Sequence, residues 1–190
     1  MKSVMISIQP KWVELIASGE KTIEVRKTRP KIETPFKCYI YETNWKDNSY
    51  WKNKHKGKLG KVIGEFVCDR IYRIGKRGVN HNFDYCYLSL NEWGNDDIEI
   101  EITAIKKSCI SKVELNLYGA NFTCLYGWHI SNLKIYDKPK ELGEFVPTCK
   151  YQCERCDICV FNEEAFGGCC RILTRPPQSW CYVEELGERL

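Results

Sequence analysis

The spacing of apolar residues along this chain changes from segment to segment, and each spacing predicts an element. Lys11–Ser18 (KWVELIAS) sets Trp12, Leu15 and Ile16 at helical intervals, and Gly19 stands where a left-handed C-cap is wanted. A short helix ending at Gly19 is expected. Lys21–Arg26 (KTIEVR) then alternates strictly, with Thr22, Glu24 and Arg26 to one side and Ile23 and Val25 to the other, as in a half-buried strand. Further strands are expected at Lys37–Glu42 (KCYIYE), at Lys61–Ile71 (KVIGEFVCDRI) and, from alternation of Ile with Glu, at Ile98–Ile105. Ser111 followed by Glu114 forms a capping-box pattern ahead of Val113, Leu115 and Leu117, which predicts a second short helix. Phe122–Tyr136 is rich in aromatic and β-branched residues and reads as one or two strands. A last strand, Ser179–Glu184 (SWCYVE), is entered through the rigid Pro176-Pro177 pair.

Short strands, two small helices and no βαβ repetition predict an α+β, mostly β architecture, closed as a small β-barrel with short flanking helices. The 190 residues suit a single domain, 1–190, with an insert at about 147–174 where the periodicity stops and six of the twelve Cys fall. No internal repeat is visible.

Composition adds limits. Apolar residues make up 43% of the chain and charged residues 28%, a soluble globular balance, and 13% of residues are aromatic. The net charge of +4 permits a phosphate-bearing partner without demanding one. The cations are unevenly placed. Lys52–Lys61 (KNKHKGKLGK) holds five Lys and one His with no acid, and Lys21–Lys31 holds five cations against Glu24 alone. Each stretch reads either as a solvated surface or as a phosphate-facing patch. The opening MKSVMISIQPKW has no signal-peptide run and nothing approaches a membrane span, so a cytoplasmic protein is expected. In that compartment twelve Cys argue for thiols and metal ligation rather than a disulfide framework.

The densest chemistry lies between Ile8 and Arg26. A helix stops at a glycine, the chain turns, and a short strand carries Lys21, Glu24 and Arg26, beside Gln9, Pro10 and Trp12 from the preceding turn. A cation, a carboxylate and a planar guanidinium fork together suit a phosphate or a base edge. Lys21 has the opposite strand parity to Glu24 and Arg26, so it joins them only if the turn after Gly19 rotates it inward. The structural alternative is an ion-pair lattice that ties the mouth of the barrel together.

Gly19-x-Lys21-x-x-Glu24-x-Arg26 resembles the G-x-K-x-x-E-x-R motif of the ASCH family, a branch of the PUA-like fold. Gln9-Pro10-x-Trp12, Gly60–Phe66 (GKVIGEF), Tyr126–Pro139 and Arg175–Glu184 are similar to other parts of that family, in a subgroup common in bacterial and phage genomes. The resemblance covers most of the chain outside the cysteine-rich stretch. It implies a barrel whose cleft is lined by the motif residues and binds RNA or modified bases. Some ASCH proteins are amidohydrolases of acylated cytidine nucleosides, built on a Lys, a Thr three residues later and a distant Glu; others are described as ribonucleases. Lys21 matches the first of those positions, and Glu24 stands where the Thr would be. Lys21 and Glu24 could still act as acid–base partners, and Glu65 or Asp69 could be the distant acid. Trp128 and Trp180 are candidate ligand-binding residues, Trp180 sharing a strand face with Tyr182 as a possible stacking platform. His129 is a candidate proton shuttle. The bland readings for these three are barrel core and a hydrogen-bonded core histidine.

Cys149, Cys153, Cys156 and Cys159 follow the spacing C-x3-C-x2-C-x2-C, and Cys169-Cys170 comes ten residues later. Two thiolates on a C-x2-C turn and a second pair close a tetrahedral site, so structural zinc held by four of Cys153, Cys156, Cys159, Cys169 and Cys170 is expected. An iron–sulfur cluster is the lesser alternative.

Three readings of function follow. The leading one is a module binding RNA, single-stranded nucleic acid or nucleotide at Lys21, Glu24 and Arg26. The others are a hydrolase of a nucleoside amide or RNA phosphodiester, and an interaction adaptor built on the zinc knuckle. Ligand identity and oligomeric state are not legible in the sequence.

Overall fold

The computed structural model describes residues 3–44, 49–79, 82–86, 106–148 and 173–185. The elements run β1 (Ser3–Ile8), α1 (Pro10–Ala17), β2 (Ile23–Arg26), β3 (Phe36–Glu42), α2 (Ser49–Lys54), β4 (Val62–Cys68), β5 (Ile71–Val79), β6 (Asn82–Cys86), α3 (Lys112–Gly119), β7 (Cys124–His129) and β8 (Ser131–Lys140). A 3-10 turn at Leu142–Glu144, β9 (Phe145–Pro147) and β10 (Trp180–Glu185) follow.

The α+β, mostly β class is as expected, but among the described residues no ring of strands closes. The strands form one six-stranded sheet in the order β8-β4-β3-β1-β10-β9 and one four-stranded sheet in the order β2-β7-β5-β6. Alternation within a strand reports which face is buried and says nothing of which strands pair, so it could not distinguish two sheets from a closed barrel. The chain divides into two compact units, Met1–Pro10 with Lys37–Glu65 and Lys134–Leu190, and Lys11–Phe36 with Phe66–Leu133.

In the first unit β1 lies at the centre of the large sheet, parallel to β3 (Ile6 opposite Ile40) and antiparallel to β10 (Ile6 opposite Trp180). All six of its residues are buried. Its sequence SVMISI carries no period-2 signal, because a strand covered on both faces loses its alternation. Met5, Tyr39, Tyr41, Val62, Phe145 and Val183 form its core, with the Tyr39 and Phe145 rings edge to face at 4.8 Å. The β4 strand admits no side chain at Gly64: a Cβ there would lie 2.5 Å from the Lys134 carbonyl oxygen. The basic stretch from Lys52 is not a plain loop. It begins in α2 and delivers His55 Nδ1 to the Glu42 carboxylate at the end of β3.

In the second unit the expected helix at Lys11–Ser18 is α1, and Gly19 adopts φ +81° just beyond it. Nothing stands within 4 Å of a Cβ placed at Gly19, so its backbone conformation, not space, requires glycine. The predicted capping box is present: Ser111 Oγ accepts from Glu114 N, and Glu114 Oε2 accepts from Ser111 N at 3.0 Å. The strand expected through Ile71 breaks at Asp69-Arg70, where β4 ends and β5 begins. Ile23, Val25, Ile74, Leu115 and Leu125 pack together between the four-stranded sheet and α3. The expected strand at Ile98–Ile105 lies outside the described residues.

Candidate functional site

The inward rotation of Lys21 comes from the end of α1. Lys21 N donates to the Leu15 carbonyl at 2.8 Å, so the residue belongs to the helix cap rather than to β2, and strand parity does not govern it. Its ammonium donates to the carbonyl oxygens of Ile23 (2.9 Å) and Ser108 (2.6 Å) and lies 3.3 Å from Glu24 Oε2. The other Glu24 oxygen takes Arg26 Nη2 at 3.0 Å. The three side chains are 0%, 8% and 9% exposed, so one buried carboxylate bridges two buried cations and leaves a net positive charge. Such a cluster holds together because each cation meets the shared carboxylate and Lys21 also meets two backbone carbonyls; single charges at this depth would cost several kcal/mol.

The half-buried Trp12 ring lies over the cluster, with Lys21 Nζ at 5.0 Å and Lys11 Nζ at 4.3 Å from its centroid. Tyr118, on α3, feels both the Arg26 and the Glu24 charges. Burial raises its hydroxyl above the ordinary phenol range, with Glu24 adding to that rise and Arg26 opposing it. Lys27, next along the chain, sits over the Tyr118 ring (4.9 Å) and the Phe122 ring (5.0 Å). Neither Ser108 nor Tyr118 was singled out from sequence. Ser108 contributes a backbone carbonyl, which no residue type signals, and Tyr118 arrives on a helix far along the chain.

Register places a second set of side chains beside this cluster. In the four-stranded sheet Arg26 lies opposite Tyr126, and Tyr126 lies opposite Arg73. Directly opposed residues share a face, so Arg26, Tyr126 and Arg73 form one cross-strand row on the side away from the Ile23–Leu125 core. The adjacent row is Glu24, Trp128 and Ile71.

The remaining candidates fall in different places. Trp128 is fully buried, its ring edge to face with Phe36 at 5.8 Å, so it is core in this arrangement. His129 Nδ1 and Asp69 Oδ1 are 2.6 Å apart. Burial works to raise the Asp69 carboxyl, but the hydrogen bond and charge of His129 outweigh it and hold it below the usual carboxylate range. Gln9 is exposed, and Gln9, Glu65 and Trp180 all belong to the first unit. There Tyr136 Oη donates to Glu65 at 2.5 Å, and Trp180 meets Tyr182 edge to face at 5.4 Å. Two rings meeting edge-on do not form one flat platform. Cys149, Cys153, Cys156, Cys159, Cys169 and Cys170 lie outside the described residues. Among the described residues no group of three or more His, Cys, Asp or Glu side chains is placed to hold a metal ion, and no helix is long and apolar enough to cross a membrane.

Fold and site together define a mostly β domain whose glycine-capped helix feeds a charged strand into a buried Lys–Glu–Arg cluster. Residues 6–108 match the ASCH domain, and the chain belongs to that family. Its structure is similar to the crystal structure of ASCH from Zymomonas mobilis, with a TM-score of 0.56 at 15% identity over 96% of this chain and 87% of that one. A single-residue variant of the same Zymomonas mobilis protein gives 0.57 at 14% identity, over 100% and 95%. At that identity the likeness carries the fold and none of the chemistry. No curated protein matches the chain.

Proposed function

We propose that this ASCH domain binds RNA or another single-stranded nucleic acid on the second unit, around Lys21, Glu24 and Arg26. ASCH domains are PUA-like and generally bind nucleic acid, which supplies the class. The observation that carries the reading is the convergence of the three motif side chains into one net-positive cluster beneath Trp12. Lys27, Arg29 and Lys31 follow on the same segment and continue the positive charge along the chain. Phosphate contacts of this kind give affinity that falls with salt.

The acid–base alternative meets a chemical obstacle. Three oxygens surround the Lys21 ammonium, so it acts as a fixed cation that holds Glu24 and, through it, Arg26. A lysine so engaged is poorly placed to move a proton.

The test is fluorescence anisotropy with a labelled single-stranded RNA over a salt series. Binding is expected to weaken steeply between about 50 and 200 mM salt, and replacing Lys27 by Gln should reduce the log–log slope by about 1. Absence of binding to RNA, single-stranded DNA and nucleotides alike, or binding indifferent to salt, sinks the reading.

A further inference from the structure

We infer that Tyr126, flanked by Arg29 and Arg73, forms a stacking step for one unpaired base of a single-stranded nucleic acid. This rests on the nucleic-acid reading above and assigns the base-contacting residues, none of which belongs to the Gly19–Arg26 motif.

The argument starts from sheet register. Tyr126 is the middle of the row Arg26–Tyr126–Arg73, on the face opposite the Ile23–Leu125 cluster and one row out from the buried Trp128. Tyr126 is half-buried and Arg73 is exposed. Arg73 is held by its Nε, which donates to Cys124 Sγ at 3.2 Å on the neighbouring strand. That bond uses one of its five N–H groups and leaves the fork free to reach a phosphate. On the other side, the exposed Arg29 guanidinium lies 6.0 Å from the Tyr126 centroid. This is the outer limit of a cation–π contact, so Arg29 is loosely engaged and free to lie over a base entering the site.

Arg73 and Tyr126 are thus neighbours on adjacent strands, about 4.8 Å apart in the hydrogen-bonding direction, and Arg29, three residues beyond the end of β2, brings a second cation to the ring. A base on the ring would have its flanking phosphates within reach of these two long side chains. A duplex does not fit, because its bases are stacked on each other and no ring face is open to Tyr126. Glu24, in the adjacent row, is already engaged by Lys21 and Arg26, so its charge is offset.

The experiment uses the full chain with a short oligouridylate, an oligothymidylate, an abasic oligomer of equal length and an RNA duplex, by anisotropy at fixed salt. Wild type is expected to prefer the base-bearing single strands over the abasic oligomer and the duplex by about tenfold or more. Tyr126→Leu should lose that preference while Tyr126→Phe keeps it, and Arg73→Gln and Arg29→Gln should each weaken binding. The arginines are exposed, so their variants test the site even where Tyr126→Leu fails to fold. Preference for the uridylate over the thymidylate assigns the partner to RNA, and equal binding assigns it to either backbone; both support the stacking step. If single strands bind but the base-bearing and abasic oligomers bind equally to wild type, the stacking step is overturned and the nucleic-acid reading stands. If no oligomer binds, both fall.

Discussion

Glu24 takes Lys21 on one carboxylate oxygen, at 3.3 Å, and Arg26 on the other, at 3.0 Å, with all three side chains out of water. The carboxylate is thus the hub of the cluster: remove it and two cations face one another at depth. Replacing Glu24 by Gln is expected to destabilise the protein by roughly 3–5 kcal/mol, the cost of breaking a buried pair from one side. Adding Lys21→Met should recover part of that loss. Urea unfolding of the two single variants and the double variant closes the cycle. Strict additivity would mean that the two groups do not interact across the observed contact.

Gly64 has its neighbour strand where a side chain would be. A methyl at this position would lie 2.5 Å from a backbone carbonyl, which cannot swing away as a side-chain tip can. Gly64→Ala is expected to cost at least about 1–3 kcal/mol, as overpacking does. A thermal midpoint equal to that of the wild type would show that β4 and β8 separate easily.

Glu42 sets a pH dependence. Burial pushes its carboxyl above the ordinary value of 4.5, outweighing the His55 charge and hydrogen bond and the charge of Lys58. The folded chain therefore binds this proton more readily than the unfolded one. The contribution of Glu42 is fully present below the unfolded value and is lost as pH rises through the folded one. Denaturation midpoints measured upward from pH 4.5 should decline more steeply in wild type than in Glu42→Gln. Parallel profiles would remove Glu42 as the source.

The cysteine-rich stretch makes a compositional prediction. Four thiolates from Cys153, Cys156, Cys159, Cys169 and Cys170 are expected to hold about one zinc per chain, measurable by elemental analysis after dialysis. A chelator should lower the unfolding midpoint. Protein free of metal, or protein carrying iron with visible absorption, would overturn the zinc assignment.

Local signals in the sequence were enough for α1 and its stop at Gly19, for the capping box at Ser111 and Glu114, and for the charged strand ending at Arg26. Each depends on residues within a few positions of one another, where chain geometry alone restricts the outcome. Strict alternation also exposed the polar side of β2. It could not expose β1, buried on both faces, or the break at Asp69-Arg70, where two charged residues stand between apolar runs with no Gly or Pro to mark a turn.

What the sequence determined by itself is therefore the set of charged groups in the motif and the glycine that lets the chain turn to present them. Only the tertiary structure decided that Lys21 turns inward onto Ser108, that Trp128 is core, and that Tyr126 lies between Arg26 and Arg73. Those facts depend on register between strands far apart in the chain and on backbone carbonyls, and neither leaves a mark on residue type. A side chain's chemistry is written locally; what it faces is set by which distant strand pairs with its own.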